Sequence, residues 1–221
     1  MKLWLAPLHG ITYYYFRNTF LRHFSGIDAI ITPFVPVQET NKLNVGKWLD
    51  FHSENNPYCD VIPQLMGNIP AHFTDTIRAL QDHYGFTQFN WNIGCPMNAI
   101  VRKQRGCGIM PFPDNVEAVV EEVFNKTDCR FSLKMRLGLK NRDEAYQIME
   151  RLNSYPIDFW VIHPRLGVEQ YAYTVDLESF AKLLTIAKAP IIYSGDILTP
   201  NDVLLLQERF PQIDNIMLGR G

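Results

Sequence analysis

Eight short apolar runs punctuate this chain, and the stretches between them carry helical spacing. Leu3–Ala6, Ala29–Ile31, Val61–Leu65, Phe89–Asn92, Phe131–Met135, Phe159–Ile162, Ile191–Tyr193 and Ile216–Leu218 each read as a buried strand. Phe16, Phe20 and Leu21 share one face of a helix over Tyr13–Phe24, and Phe73, Ile77, Leu80 and Tyr84 share one face of a helix opened by Pro70. The stripe Val116, Val119, Val120, Val123 and Phe124 is the clearest in the chain, and Ala145, Ile148, Met149 and Leu152 form the next. Two more helices are read at Leu177–Ala187 and Pro200–Phe210, whereas Thr32–Asp60 is polar and irregular. Strand and helix in alternation imply parallel strands. Eight of them imply an α/β fold, a (β/α)8 TIM barrel, with the site at the C-terminal ends of the strands.

The 221 residues suffice for one such domain, and a net charge of −2 gives no general attraction for polyanions. Cys59, Cys95, Cys107 and Cys129 form no CxxC pair and have no histidine at zinc-ligand spacing, so no metal is expected. A reduced cytoplasmic protein is the expectation, with no membrane segment and a monomeric state. The last strand runs almost to Gly221, where a barrel ordinarily adds a closing helix, so a C-terminally truncated domain over 1–221 is expected.

The strand ends collect the polar chemistry. They carry Pro7, Leu8 and His9; Gln64; Asn92 and Cys95; Lys134 and Arg136; His163 and Arg165; Ser194, Gly195 and Asp196; and Gly219 and Arg220. A lone cysteine is ordinarily a small core hydrophobe, but Gly94 and Pro96 flank Cys95 with turn formers that a core thiol does not need. Lys134 lies in the apolar run SLKMRL, where an unpaired charge is costly and calls for an electron-rich or anionic partner. His163 reads equally as a core histidine. The glycine turns at 195 and 219 match a barrel phosphate site, with Arg220 as clamp. Arg102, Lys103 and Arg105 read as a solvated charge run, or more sharply as a loop beside RNA.

NIGCP followed by GCGIM resembles the tRNA-dihydrouridine synthase family, and the likeness continues in LAPLHGIT, VIPQLMG, SLKMRLG, FWVIHPRLGVEQY, IIYSGDI and IMLGRG. It implies an FMN-binding TIM-barrel catalytic domain over 1–221, NADPH as electron donor and tRNA as substrate and partner. It further implies hydride transfer from the reduced flavin to C6 of a uridine, with Cys95 protonating C5. By matching positions, Pro7, Leu8, His9, Gln64, Lys134, His163, Ser194, Gly195, Asp196, Gly219 and Arg220 would hold FMN, and Asn92 and Arg136 would face the uracil. The chain departs from the family pattern at Leu8, His9, Pro164, Leu166 and Ser194, and lacks the helical tRNA-gripping domain that follows the barrel. Two other readings remain open: a small-molecule flavin oxidoreductase of the dihydroorotate dehydrogenase type, and a non-catalytic relative that binds flavin or RNA.

Overall fold

The computed structural model describes residues 1–220; Gly221, the last residue of the IMLGRG motif, lies outside the described residues. Among the described residues, ten strands form one parallel sheet: β1 (Lys2–Leu5), β2 (Ala29–Ile31), β3 (Val35–Pro36), β4 (Val61–Ile62), β5 (Gln64–Met66), β6 (Gln88–Ile93), β7 (Arg130–Gly138), β8 (Trp160–Leu166), β9 (Ile191–Ser194) and β10 (Asn215–Leu218). The expected third strand is divided at Pro63, which has no N–H to give the ladder. Its first half pairs with β2, Ile30 opposite Val61, and its second half with β6, Gln64 opposite Asn90. β1 pairs with both β2 and β10. Together these pairings close the sheet into the expected barrel, and the two-residue β3 is an addition alongside β5.

The helices are α1 (Tyr14–His23), α2 (Pro70–Tyr84), a single turn α3 (Asn98–Val101), α4 (Pro113–Lys126), α5 (Asp143–Leu152), α6 (Leu177–Ile186) and α7 (Pro200–Arg209). Their ends follow from local chemistry. Proline opens α2, α4 and α7, where its missing N–H costs nothing, and Gly85 closes α2 at φ 75°. α7 has a capping box between Thr199 and Asp202.

Two apolar layers divide the strand residues by period two. Outward-facing Trp91, Phe131, Leu133, Met135, Trp160 and Ile162 pack beneath the helices. Inside the barrel, Ala6, Ile31, Ile62, Phe159, Val161, Ile192 and Met217 form a separate cluster. The alternation explains the lysine in an apolar run: Phe131, Leu133, Met135 and Leu137 serve the outer core, while Ser132, Lys134 and Arg136 share the other face of β7. The irregular stretch after β2 becomes short 3-10 turns and is held down by buried Arg17. Its guanidinium donates to the Asp50 carboxylate at 3.0 Å and to Asn56 at 2.6 Å.

Candidate active site

The loop carrying Cys95 is held by side-chain amides. Asn92 sits at the end of β6, where its Oδ1 accepts from the backbone N–H groups of Gly94 (3.0 Å) and Cys95 (2.9 Å). This local cap turns the chain sharply at the strand end. The Asn92 amide donates to Gln64 (2.9 Å), Gln64 donates to Asn90 (2.7 Å), and Asn90 donates to Ser132 (2.9 Å). All are buried, so the cysteine turn is anchored through a polar chain across three strands inside the barrel. Replacing Gln64 by leucine strips two buried amides of partners and is expected to cost about 2 kcal/mol or more of stability, read from urea unfolding. An unchanged midpoint would remove Gln64 from that role.

The segment GCGI, Gly106–Ile109, supports the same loop from behind. Cys107 N–H donates to the Cys95 carbonyl at 3.0 Å and the Cys107 thiol donates to the Gly94 carbonyl at 3.0 Å. Gly106 has φ 53°, and a Cβ there would stand 2.5 Å from the Cys95 carbonyl oxygen, so only glycine lets the two segments approach. Burial raises the Cys107 thiol to about 12, which makes it a structural donor and not a nucleophile. Burial also raises the Cys95 thiol, against smaller opposing effects from the Met97 backbone, Lys134 and Arg136, so it is protonated at neutral pH.

Cys95 opens onto a cavity of about 490 Å³ at the C-terminal mouth of the barrel. Pro7, Leu8, His9, Asn92, Cys95, Lys134, Arg136, His163, Ser194, Gly195, Asp196, Gly219 and Arg220 all line it. Gln64 does not: it stands one layer behind, occupied with Asn90 and Asn92. Asn92 spends its oxygen on the turn and one N–H on Gln64. The Arg136 guanidinium donates to the carbonyls of Leu166 and Gln170 and lies 5.1 Å from the Tyr171 ring centre. Asn92 is thus largely committed to the loop, whereas Arg136 spends only Nη1 on these carbonyls. Arg102 and Lys103 are exposed and do not line the cavity.

Charge in the cavity is unbalanced. Lys134, Arg136 and Arg220 face one carboxylate, Asp196, already gripped from behind by both terminal nitrogens of buried Arg165. No carboxylate of the described residues pairs with Lys134, whose pKa burial and neighbouring Arg136 depress to about 8. A cavity with surplus cations and a half-buried, unpaired lysine calls for an anionic or electron-rich ligand.

Arg165 also donates to Nε2 of His163 at 3.1 Å. A guanidinium only donates, so Nε2 is the acceptor and the ring proton of neutral His163 is on Nδ1. Burial and the surrounding Arg136, Lys134, Arg165 and Arg220 push His163 far below its usual range, so it stays neutral. Sequence reasoning placed Arg165 at the strand end without this role. It missed the lining residues Phe34, Met97, Gln170, Tyr171, Ile197 and Leu198, which come from loops whose paths no periodicity announces.

Comparisons with known proteins bear on the family and the fold. The family model for dihydrouridine synthase (Dus) matches residues 4–221. The tRNA-dihydrouridine(16) synthase of Pseudomonas syringae pv. tomato is 27% identical over 230 residues, covering 100% of this chain and 71% of its own length. That of Aquipseudomonas alcaligenes is 26% identical over 228 residues, with 100% and 71% covered. Among solved structures, the old yellow enzyme homologue of Zymomonas mobilis superimposes with a TM-score of 0.66 at 14% identity, covering 99% of this chain and 84% of its own. Morphinone reductase reaches 0.67 at 9% identity, with 99% and 82% covered. At such identities these two speak for the barrel alone.

Proposed function

The chain belongs to the dihydrouridine synthase family, and we propose that it reduces uridine to dihydrouridine in tRNA with FMN held at the barrel mouth and NADPH as electron donor. One observation carries the catalytic part: a thiol protonated at neutral pH, fixed by the Asn92 cap, opens into the same cavity as an uncompensated lysine.

The residues present fit FMN. The surplus of Lys134, Arg136 and Arg220 over Asp196 suits a phosphate and an electron-rich ring. Gly195 has φ 148°, and a Cβ there would press 3.0 Å from His163, so backbone and not side chain meets a ligand. The backbone N–H groups of Gly195, Asp196 and Gly219 and the Arg220 guanidinium would hold the phosphate, while the Asp196 carboxylate stays with Arg165, and Pro7, Leu8, His9 and Ser194 would complete the wall. Lys134 and His163 would hold the ring, the latter through Nδ1–H. When bound, FMN supplies the hydride. Cys95 holds the proton that saturates the neighbouring carbon, and with burial raising its pKa it acts as a general acid without prior activation. Gln64 acts through Asn92, and Asn92 and Arg136 shape the space in which the uracil sits. The uridine reaches them only when turned out of its stack.

Nucleoside mass spectrometry of tRNA from cells with and without the gene tests the reading. We expect loss of dihydrouridine at particular positions. Full retention, with no second enzyme covering, favours a small-molecule flavin oxidoreductase. The pH dependence offers another check. With saturating tRNA and reduced cofactor, the rate should hold through neutrality and fall only at alkaline pH, above the value near 8 that Lys134 has without ligand, because an electron-rich partner favours its charged form. Lys134→Arg should move that limb upward; a limb that stays in place belongs to another group.

A further inference from the structure

Tyr173 combines three properties that folding alone does not explain. Its backbone has φ 62°, a left-handed conformation that costs a bulky residue and costs glycine nothing. Its side chain is 79% exposed, so the ring adds nothing to the core. Yet its carbonyl is fixed from beneath by buried Arg165, whose terminal nitrogen donates at 2.6 Å and whose Nε donates at 3.2 Å. The same arginine holds His163 and Asp196 in the cavity wall. The rest of the segment is pinned as well. Gln170 has φ 50° with its carbonyl taken by Arg136, Arg165 reaches the Ala172 carbonyl at 3.2 Å, and Asp176 N–H donates to the Pro164 carbonyl at 2.8 Å. This is a strained loop with a pinned backbone: Gln170 and Tyr171 line the cavity, and the exposed Tyr173 ring follows two residues further along.

The rings that line the mouth have partners. His9 stacks on Phe34 with centres 4.6 Å apart, and Tyr171 lies against Arg136 and, at 4.1 Å, Arg220. Tyr173 has no aromatic or cationic partner among the described residues. An exposed, unpaired ring on a pinned and strained backbone, two residues from the lining of a cavity with surplus cations, suits single-stranded nucleic-acid binding, in which bases stack on aromatic faces and cations attract the backbone.

We propose that Tyr173 is a positioning residue that stacks on an RNA base flanking the uridine entering the cavity. The inference rests on the tRNA reading given above. It is tested with Tyr173→Gly and Tyr173→Phe in the intact cofactor-loaded protein, using an unmodified tRNA transcript. Glycine removes the ring and the strain together. The KM for tRNA should rise about tenfold or more, kcat should stay within about twofold, and NADPH oxidation without tRNA should be unchanged. The thermal midpoint of the glycine variant should hold or rise. Phenylalanine should keep the original KM. A normal KM in the glycine variant overturns the stacking alone, as does a KM that rises only together with a lowered thermal midpoint. No tRNA turnover by the unaltered protein overturns the functional reading and this inference with it.

Discussion

Cys95→Ala is expected to slow dihydrouridine formation by about 10²–10⁴-fold, the usual worth of a positioned general acid. The substitution should be structurally quiet. The Cys95 backbone makes the contacts that shape the loop, its N–H to Asn92 and its carbonyl to Cys107, and alanine keeps both. Flavin content and the rate of flavin reduction by NADPH should therefore stay near those of the unaltered protein. The loss should fall in kcat with tRNA saturating, because the proton is needed only as the uracil is reduced. Cys95→Ser separates acidity from shape: a hydroxyl fills the space but surrenders its proton far less readily. Single-turnover reduction of unmodified tRNA by both variants decides the matter. An alanine variant as fast as the original would remove Cys95 from the acid role and leave the proton to water.

The second large effect has opposite signs for function and for stability. Lys134→Met should weaken flavin retention by about 10–100-fold, since charge-assisted contacts of this kind are each worth about 1.5–3 kcal/mol. The ligand-free protein should become more stable, by an amount on the order of 1–2 kcal/mol, because an unpaired ammonium in the barrel is replaced by a side chain of similar length. The sign follows from linkage. The lysine titrates near 8 in the folded chain and near 10.5 when unfolded, so between those values only the unfolded chain binds the proton, and stability rises with pH. Below 8 both states carry it and the penalty is fully present. Taken relative to Lys134→Met, the urea midpoint of the ligand-free protein should climb from pH 7 to about 9, below the range in which the raised thiols of Cys95 and Cys107 pull stability back down. A flat difference between the two, with normal flavin content in the variant, would sink the assignment.

Much of the barrel was legible in the sequence because parallel strands are buried on both faces and read as apolar runs, while the helices carry a period of their own. The division at Pro63 was less legible. A proline in an apolar run shows where a ladder bond is missing, but not that the halves on either side choose different partners. The site was legible where it sits on strands. Lys134 and Arg136 lie within β7, His163 within β8 and Ser194 at the end of β9; these strands run further than their apolar runs suggested, and strand pairing brings the four together without reference to loop geometry. Gln64 was placed at the cavity because a polar residue ending a strand looks like a ligand, and its place behind Asn92 depends on which way an amide turns. Arg165 shows the same limit: its value lies in contacts with His163, Asp196 and the Tyr173 carbonyl, which involve separate segments.

The pairing of β1 with β10 has a consequence for how the barrel stays closed. Leu5 lies opposite Leu218, and Ala6 N–H donates to the Leu218 carbonyl at 2.8 Å, so the first and last strands meet at a seam. Pro7, Leu8 and His9 stand on one side of that seam and Gly219 and Arg220 on the other, all on the same cavity. The second half of this wall lies far along the chain from the first. Contacts so distant in sequence are also slow to form, since the whole intervening chain must be ordered first. A ligand spanning the seam acts as a clasp, adding its binding free energy to the cost of parting the two strands. Amide exchange in β1 and β10 should therefore slow more on cofactor binding than exchange in β6 and β7, which would tie the closed state of the barrel to the supply of flavin.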